Sequence, residues 1–120
     1  MKYTKDHEWL RVEDDLVVVG ITEHAATALG DVVFVELPEP ETMVAEGDAI
    51  CVIESVKAAS DILAPVDGEI VVVNEKLVDS PALVNEDPTG AAWFFKMKLV
   101  DLSVLDQFMD EDEYNELVGG

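Results

Sequence analysis

The sequence predicts an all-β protein with short helices, arranged as a small β-sandwich. Short runs rich in β-branched residues, such as 16–21 and 32–37, alternate with turns that contain Gly or Pro, a pattern typical of sandwiches and barrels. A second observation is a weak internal repeat: Gly-Asp-Val-Val-Phe-Val at 30–35 resembles Gly-Glu-Ile-Val-Val-Val at 68–73. Two similar halves would supply the two layers of the sandwich.

Local signals predict each element in turn. The strand at 16–21 leads into a helix at 23–29, which Thr22 can cap and Gly30 can end. The next strand, at 32–37, stops before Pro38 because proline interrupts a strand ladder. Further strands are predicted at 49–53, 61–64, 69–73 and 93–99, with turns at 46–48 and 65–68.

The end of the chain changes from strand signals to helix signals. Ser103 and Asp106 form the Ser-x-x-acid pattern of a helix start. The acidic run 110–113 would begin a further turn of helix, where negative charge is favoured. We expect a helical extension at about 103–118 that covers an edge of the sandwich. Its apolar face would consist of Leu105, Phe108 and Met109.

Composition places the chain among folded proteins and excludes some partners. The 120 residues, 49% of them hydrophobic, predict one domain over 1–120 with its core at about 3–100. The 27 Asp and Glu residues outnumber the 7 Lys and Arg residues, which gives a net charge of −20. This charge argues against nucleic acid and anionic membranes, and it permits partners with basic docking surfaces.

Targeting and cysteine signals predict a cytoplasmic protein, with the mature form of an organellar protein as the open alternative. No apolar run approaches the length of a membrane span, and the N-terminus has no apolar signal core. The single cysteine, Cys51, fits a reducing compartment and is expected to be a small core residue. His7 and His24 lack companions for a metal site, so no metal is expected.

Lys57 is the residue that points to a function. It lies between two predicted strands in Glu54-Ser55-Val56-Lys57-Ala58-Ala59-Ser60-Asp61, where small residues leave the turn open. Acidic neighbours favour the protonated amine, so Schiff-base catalysis is not expected. Enzymatic formation of an amide at this amine is compatible with the turn. From the octapeptide alone, an ordinary exposed turn lysine is an equal alternative.

The octapeptide closely resembles the lipoyl-attachment loop of the H proteins of the glycine cleavage system. The resemblance covers nearly all of residues 3–117, with matching motifs in order. The segments that carry it are His-Glu-Trp at 7–9, Gly-Ile-Thr-Glu-His-Ala at 20–25, Leu-Gly-Asp-Val-Val-Phe-Val-Glu-Leu-Pro at 29–38, Pro-Val-Asp-Gly-Glu at 65–69, Val-Asn-Glu at 73–75, and the runs 77–81, 83–85 and 87–90 with Trp93.

The resemblance implies a lipoyl-type barrel-sandwich hybrid with a C-terminal helical extension. It implies that lipoic acid is attached to Lys57 in amide linkage, within a recognition loop that includes Glu54, Ser55, Val56 and Ala58. It also implies a monomeric, non-catalytic carrier of the aminomethyl group of glycine. The implied partners are glycine decarboxylase, the aminomethyltransferase, dihydrolipoamide dehydrogenase and the lipoyl-attaching enzymes.

The resemblance further implies a cleft in which the loaded arm is held. Glu8 and Asp61 would make its polar contacts, and Ile21 and Leu29 would form part of its apolar wall. Two positions depart from the family. Ala28 stands where many members have a histidine, and Asp6 stands where serine is common. Both changes affect how the arm is held rather than the carrier role.

Three alternative functions share these features. An H-like lipoyl relay would use the same Lys57 loop to supply other lipoyl domains. A biotin carrier is disfavoured because the lysine lies in Val-Lys-Ala rather than Met-Lys-Met. An unmodified interaction module is disfavoured by the lysine loop itself.

Overall fold

Two antiparallel sheets form the body of the protein in the computed structural model, which describes residues 1–99 and 101–119. The larger sheet has the strand order β1-β2-β3-β9-β8-β5 and the smaller has the order β4-β6-β7. The sheets are not closed into one barrel, and a barrel-sandwich hybrid describes them, as predicted. The strands are β1 Lys2–Tyr3, β2 Glu8–Glu13, β3 Leu16–Ile21, β4 Val32–Glu36, β5 Thr42–Val44, β6 Ala49–Ser55, β7 Ala59–Leu63, β8 Gly68–Val73 and β9 Phe95–Lys98.

Within these described ranges, four α-helices and one 3₁₀ helix accompany the sheets. They are α1 Glu23–Leu29, α2 Lys76–Asp79, α3 Leu83–Glu86, the 3₁₀ helix Leu102–Gln107 and α4 Glu111–Gly119. Helix α1 has the predicted bounds, because Thr22 caps it by accepting a hydrogen bond from the Ala25 backbone N–H and Gly30 ends it at a φ of 77°.

The core lies between the sheets and includes residues of β3. Val17, Val18 and Val19 are all fully buried, so this strand is covered on both faces. Trp9 is also fully buried, and its indole N–H donates to the Pro88 carbonyl oxygen at 2.9 Å. Cys51 is buried as a core residue, as predicted.

The C-terminal extension covers a sheet edge as predicted, although its start signal was interpreted wrongly. Asp101, not Ser103, caps the first segment by accepting a hydrogen bond from the Ser103 N–H, and that segment is a 3₁₀ helix. A separate helix, α4, follows Asp110, whose carboxylate accepts from the Glu113 N–H at 2.8 Å. Met109 exchanges two backbone hydrogen bonds with Tyr3, so the extension closes the β1 edge.

Several elements were missing from the sequence prediction. Strands β1, β2 and β5 carry no strong alternating pattern and are defined by their partners in the sheet. The stretch predicted as a loop after β8 contains the short helices α2 and α3, which bury Leu77 and Val84 respectively. In the described part of the chain, the negative charge is largely unpaired: the ion pairs found there are Arg11–Glu13 and Lys96–Glu13.

Candidate functional site

The lysine turn joins β6 to β7 and is built by one serine. The Ser55 N–H donates to the Ala58 carbonyl oxygen at 2.8 Å, which closes the turn. The Ser55 hydroxyl oxygen also accepts from the backbone N–H groups of Lys57 and Ala58, both at 3.2 Å. The Val56 N–H donates to the Asp31 carbonyl oxygen at 3.0 Å and ties the turn to the start of β4. Lys57 is therefore exposed on a fixed backbone.

The hydrocarbon part of Lys57 lies against the end of helix α1. A Cβ atom placed on Gly30 would be 3.2 Å from Lys57 Cε, so a larger residue there would require the lysine side chain to shift by a few tenths of an ångström. Asn85 holds this backbone from the other side: its amide group donates to the Gly30 carbonyl oxygen at 2.7 Å and accepts from the Val32 N–H at 2.8 Å. The turn, the end of α1 and α3 thus form one support for the lysine.

A cavity of about 240 Å³ opens beside this support. All four residues assigned to the cleft by resemblance line it: Glu8, Asp61, Ile21 and Leu29. Lys57 does not line the cavity, but Gly30, on which its side chain lies, directly follows Leu29. The remaining lining residues are Asp6, His7, Ala25, Ala28, Ile53, Ser60, Ile62 and Leu63.

Glu8 is a buried carboxyl group with an incomplete set of hydrogen bonds. Its Oε1 accepts from the Thr4 hydroxyl at 3.3 Å, whereas its Oε2 is buried without a hydrogen-bond partner among the described residues. Burial, opposed in part by the Thr4 hydrogen bond and reinforced by Asp6, raises the pKa of Glu8 to about 8. The cleft therefore holds a mostly neutral carboxyl group at pH 7, and a cation placed there would favour its ionised form.

The acidic groups at the mouth of the cavity differ from Glu8 because water reaches them. Asp6 and Asp61 are exposed, as is Ser60, which directly precedes Asp61. Ala28 also lines the cavity and contributes only a methyl group to it. The cleft thus has an apolar interior with one buried acid and two solvated acids at its opening.

A hydroxyl from the last helix joins two walls of the cleft. Tyr114 Oη lies 2.7 Å from His7 Nδ1, in the loop before Glu8, and 2.7 Å from Oγ1 of Thr22, the cap of α1. Its ring stacks on Tyr3 at 4.7 Å between centroids. Burial and the neighbouring His24 lower the pKa of His7, which favours a neutral ring that can accept from Tyr114.

Sequence reasoning missed this tyrosine and several residues of the cavity lining: His7, Ala25, Ile53, Ser60, Ile62 and Leu63. Tyr114 is 107 positions from His7 in sequence and 92 positions from Thr22, and no local pattern marks it. Ser60, Asp61 and Ile62 are consecutive in the short strand β7 and all line the cavity, although neighbouring strand residues point to opposite faces, so strand alternation would not have grouped them. Among the described residues 1–99 and 101–119, no group of three or more His, Cys, Asp or Glu side chains could hold a metal ion. No helix in those same ranges is long and apolar enough to span a membrane.

Comparisons with known proteins agree on one family. The family profile described as "Glycine cleavage H-protein" matches residues 1–119. The chain is 57% identical to the glycine cleavage system H protein of Dinoroseobacter shibae, over 98% of this chain and 96% of that protein. It is 50% identical to the glycine cleavage system H protein of Staphylococcus carnosus, over 99% of this chain and 94% of that protein.

A solved structure has the same fold. The crystal structure of a glycine cleavage system H protein from Mycobacterium marinum superposes with a TM-score of 0.89 at 39% identity. The match covers 99% of this chain and 96% of that one.

Proposed function

The chain belongs to the glycine cleavage H-protein family, and on this premise we propose that it is the lipoyl carrier of a glycine cleavage system. Lys57 would bear the lipoyl group in amide linkage. When attached, that group would supply a dithiolane that takes the aminomethyl unit of glycine from glycine decarboxylase, delivers it to the aminomethyltransferase and is reoxidised by dihydrolipoamide dehydrogenase. The chain's own residues would hold and present the arm without catalysing a step.

The observation that carries the proposal is the unpaired carboxyl oxygen of Glu8 inside an apolar cleft beside Lys57. A buried polar atom without a partner is destabilising and therefore calls for an explanation. A cationic amine entering the cleft would provide the missing partner for Oε2. At a buried position, this pairing is stronger than it would be at the surface because the effective dielectric constant is lower. The residues present therefore fit an arm that ends in a cationic cargo.

Each wall of the cleft would have a separate task. Ile21 and Leu29 would exclude water from a labile cargo, since both contribute apolar surface to the cavity. Glu8 would hold the positive charge at depth. Asp61, at the exposed mouth, would attract the amine before it enters.

Lys57 would be modified by an enzyme that brings an activated lipoyl ester to it. The free amine of Lys57 would attack the activated carbonyl, the amide bond would form, and the activating group and a proton would leave. Small neighbours in the turn support this step: Ala58, Ala59 and Ser60 are all exposed and present little bulk. The recognition loop would include Glu54, Ser55, Val56 and Ala58, of which Ser55 builds the turn.

Tethering accounts for how one carrier would serve several enzymes. A group fixed to a flexible side chain has a raised effective concentration at each partner that the carrier meets. The net charge of −20 would steer the chain towards basic docking surfaces. That the carrier is monomeric and cytoplasmic is our further proposal, and the free, buried Cys51 fits a reducing compartment.

The proposal is tested by glycine-dependent exchange of carbon dioxide with purified glycine decarboxylase. The lipoylated wild-type chain should support exchange, whereas Lys57→Ala should not, while its unfolding temperature stays unchanged. Exchange supported equally by Lys57→Ala would contradict the carrier role. Transfer of a lipoyl or octanoyl group from the chain to other lipoyl domains, without exchange, would indicate the relay alternative instead.

A further inference from the structure

The outer face of the smaller sheet displays two adjacent apolar side chains. In a regular strand, neighbouring residues point to opposite faces. In β4, however, Val32 and Val35 are buried, while Val33 is 56% exposed and Phe34 is 44% exposed. The strand register shifts between Val32 and Phe34, which marks a β-bulge at Val33. The extra residue allows both side chains to face solvent.

This apolar surface continues to the lysine turn. Phe34 pairs across the sheet with Glu54, three residues before Lys57. Val56, which is also exposed and directly precedes Lys57, is tied to the start of β4 by its hydrogen bond to Asp31. We call Val33, Phe34 and Val56 the outer patch. Exposed apolar side chains that lie together mark interaction sites more often than single ones do.

Acidic residues border the outer patch. Glu36 lies two residues beyond Phe34 on β4, where it pairs across the sheet with Val52, so its carboxylate is on the same face as Phe34. Glu36 is exposed, as is Asp31 at the other end of β4. A partner surface that fits this face would combine an apolar depression with cationic side chains at its border.

We propose that the outer patch is the docking surface for the lipoyl-attaching enzyme, an inference that rests on the proposed function. The partners that act on the loaded arm meet its far end, away from the backbone. The attaching enzyme differs because it must bring its active site to Nζ of Lys57 itself. Its contact surface must therefore cover the protein immediately around the lysine turn.

The size of a standard protein interface, compared with the distance from Lys57 to the outer patch, supports this assignment. A standard protein interface buries roughly 800 Å² on each partner, equivalent to a disc of about 16 Å radius. Phe34 lies opposite Glu54 on the neighbouring strand, and Glu54 precedes Lys57 by three residues. Phe34 is therefore within roughly 11 Å of the lysine backbone. An enzyme centred on Lys57 would therefore cover the outer patch, including both residues of the bulge.

The test measures initial rates of lipoylation by a lipoate–protein ligase as a function of the concentration of the unmodified full-length chain. Val33→Thr and Phe34→Gln remove apolar surface from the patch. Val12→Thr on β2 and Met43→Gln on β5 are matched controls, since these residues are 51% and 72% exposed on the other sheet. The unfolding temperature of every variant is measured alongside, and the near-isosteric Val33→Thr guards against misfolding of Phe34→Gln.

We expect the KM of the Phe34→Gln chain to rise about tenfold, with a smaller rise for Val33→Thr, an unchanged kcat and no effect in either control. The wild-type KM should also rise with salt, and Glu36→Gln should weaken that dependence more than Glu116→Gln on α4 does. Both results would support docking at this face.

Three results would overturn the proposal. Patch variants with the same KM as their controls would show that the attaching enzyme docks elsewhere, while full lipoylation of the wild type would leave the carrier role intact. Patch variants that are lipoylated normally but fail in glycine-dependent exchange would assign the face to glycine decarboxylase. A wild-type chain that gains no lipoyl group at all would refute the carrier role as well.

Discussion

Replacing Glu8 by Gln should stabilise the unloaded protein and weaken its hold on the cargo. The amide has nearly the same shape as a neutral carboxyl group and keeps an oxygen to accept from the Thr4 hydroxyl. It cannot ionise. The substitution therefore isolates the effect of placing a titratable acid in the cleft.

The sign of the change in unfolding free energy follows from the raised pKa of Glu8. The pKa of Glu8 is about 8 in the folded protein, against an ordinary value of 4.5. Between these values the folded state binds more protons than the unfolded state, so the contribution of Glu8 to stability falls as pH rises. At pH 7, the wild-type carboxyl group destabilises the fold by about 3 kcal/mol, at 1.36 kcal/mol per pKa unit. Below pH 4.5 this effect disappears because both states are protonated.

The assay is urea unfolding of wild type and Glu8→Gln from pH 4 to pH 8. The difference in unfolding free energy cancels the contributions of the other acids and of His7. It should be near zero at pH 4 and reach about 3 kcal/mol in favour of Glu8→Gln at pH 7. Glu116→Gln, which replaces an exposed acid on α4, should show no such trend. A difference that stays constant with pH would refute the placement of a neutral acid in the cleft.

Three further variants test other parts of the site. Asp61→Asn should speed loss of the aminomethyl cargo from the loaded carrier, as should Glu8→Gln, and unchanged release rates would count against the cleft assignment. Tyr114→Phe removes the hydroxyl that bridges the cleft loop and α1, so the unfolding free energy in urea should fall by about 1–2 kcal/mol; an unaltered value would mean that the bridge is not formed. Gly30→Ala should slow lipoylation of Lys57 as well as strain the backbone. Gly47 has a φ of 90° and open space around it, so Gly47→Ala should only strain the backbone. Equal lipoylation rates for the two variants would disprove the support role of Gly30.

The parts of the fold that could be predicted are those specified by neighbouring residues. Helix α1 has its predicted bounds because Thr22 and Gly30 act on the backbone next to them. The short strands β1 and β5 depend instead on partners far along the chain. The C-terminal start signal failed for a related reason: Asp101, Ser103 and Asp106 all offer capping chemistry, and packing selects which of them caps the segment.

The candidate site also has residues that the local sequence marks and residues whose role depends on distant parts of the chain. Lys57 stands out locally, because small residues surround it in an acidic chain. Glu8, by contrast, is an unremarkable acid in the sequence, and only the family resemblance separated it from a solvated surface residue. Its unusual state arises from burial beneath the cleft, which depends on the whole fold. The bridge through Tyr114 likewise joins residues about a hundred positions apart, so no window of sequence could reveal it.

The central claim is that Lys57 is the lipoyl anchor, and intact-mass measurement tests it most directly. After incubation with a lipoate–protein ligase, lipoic acid and ATP, the wild-type chain should gain the mass of one lipoyl group joined with loss of water. Lys57→Arg, which keeps the charge and the length of the side chain, should gain nothing. Fragmentation of the modified chain should place the added mass on residue 57. A modified Lys57→Arg chain, or a wild-type chain that stays unmodified, would contradict the account.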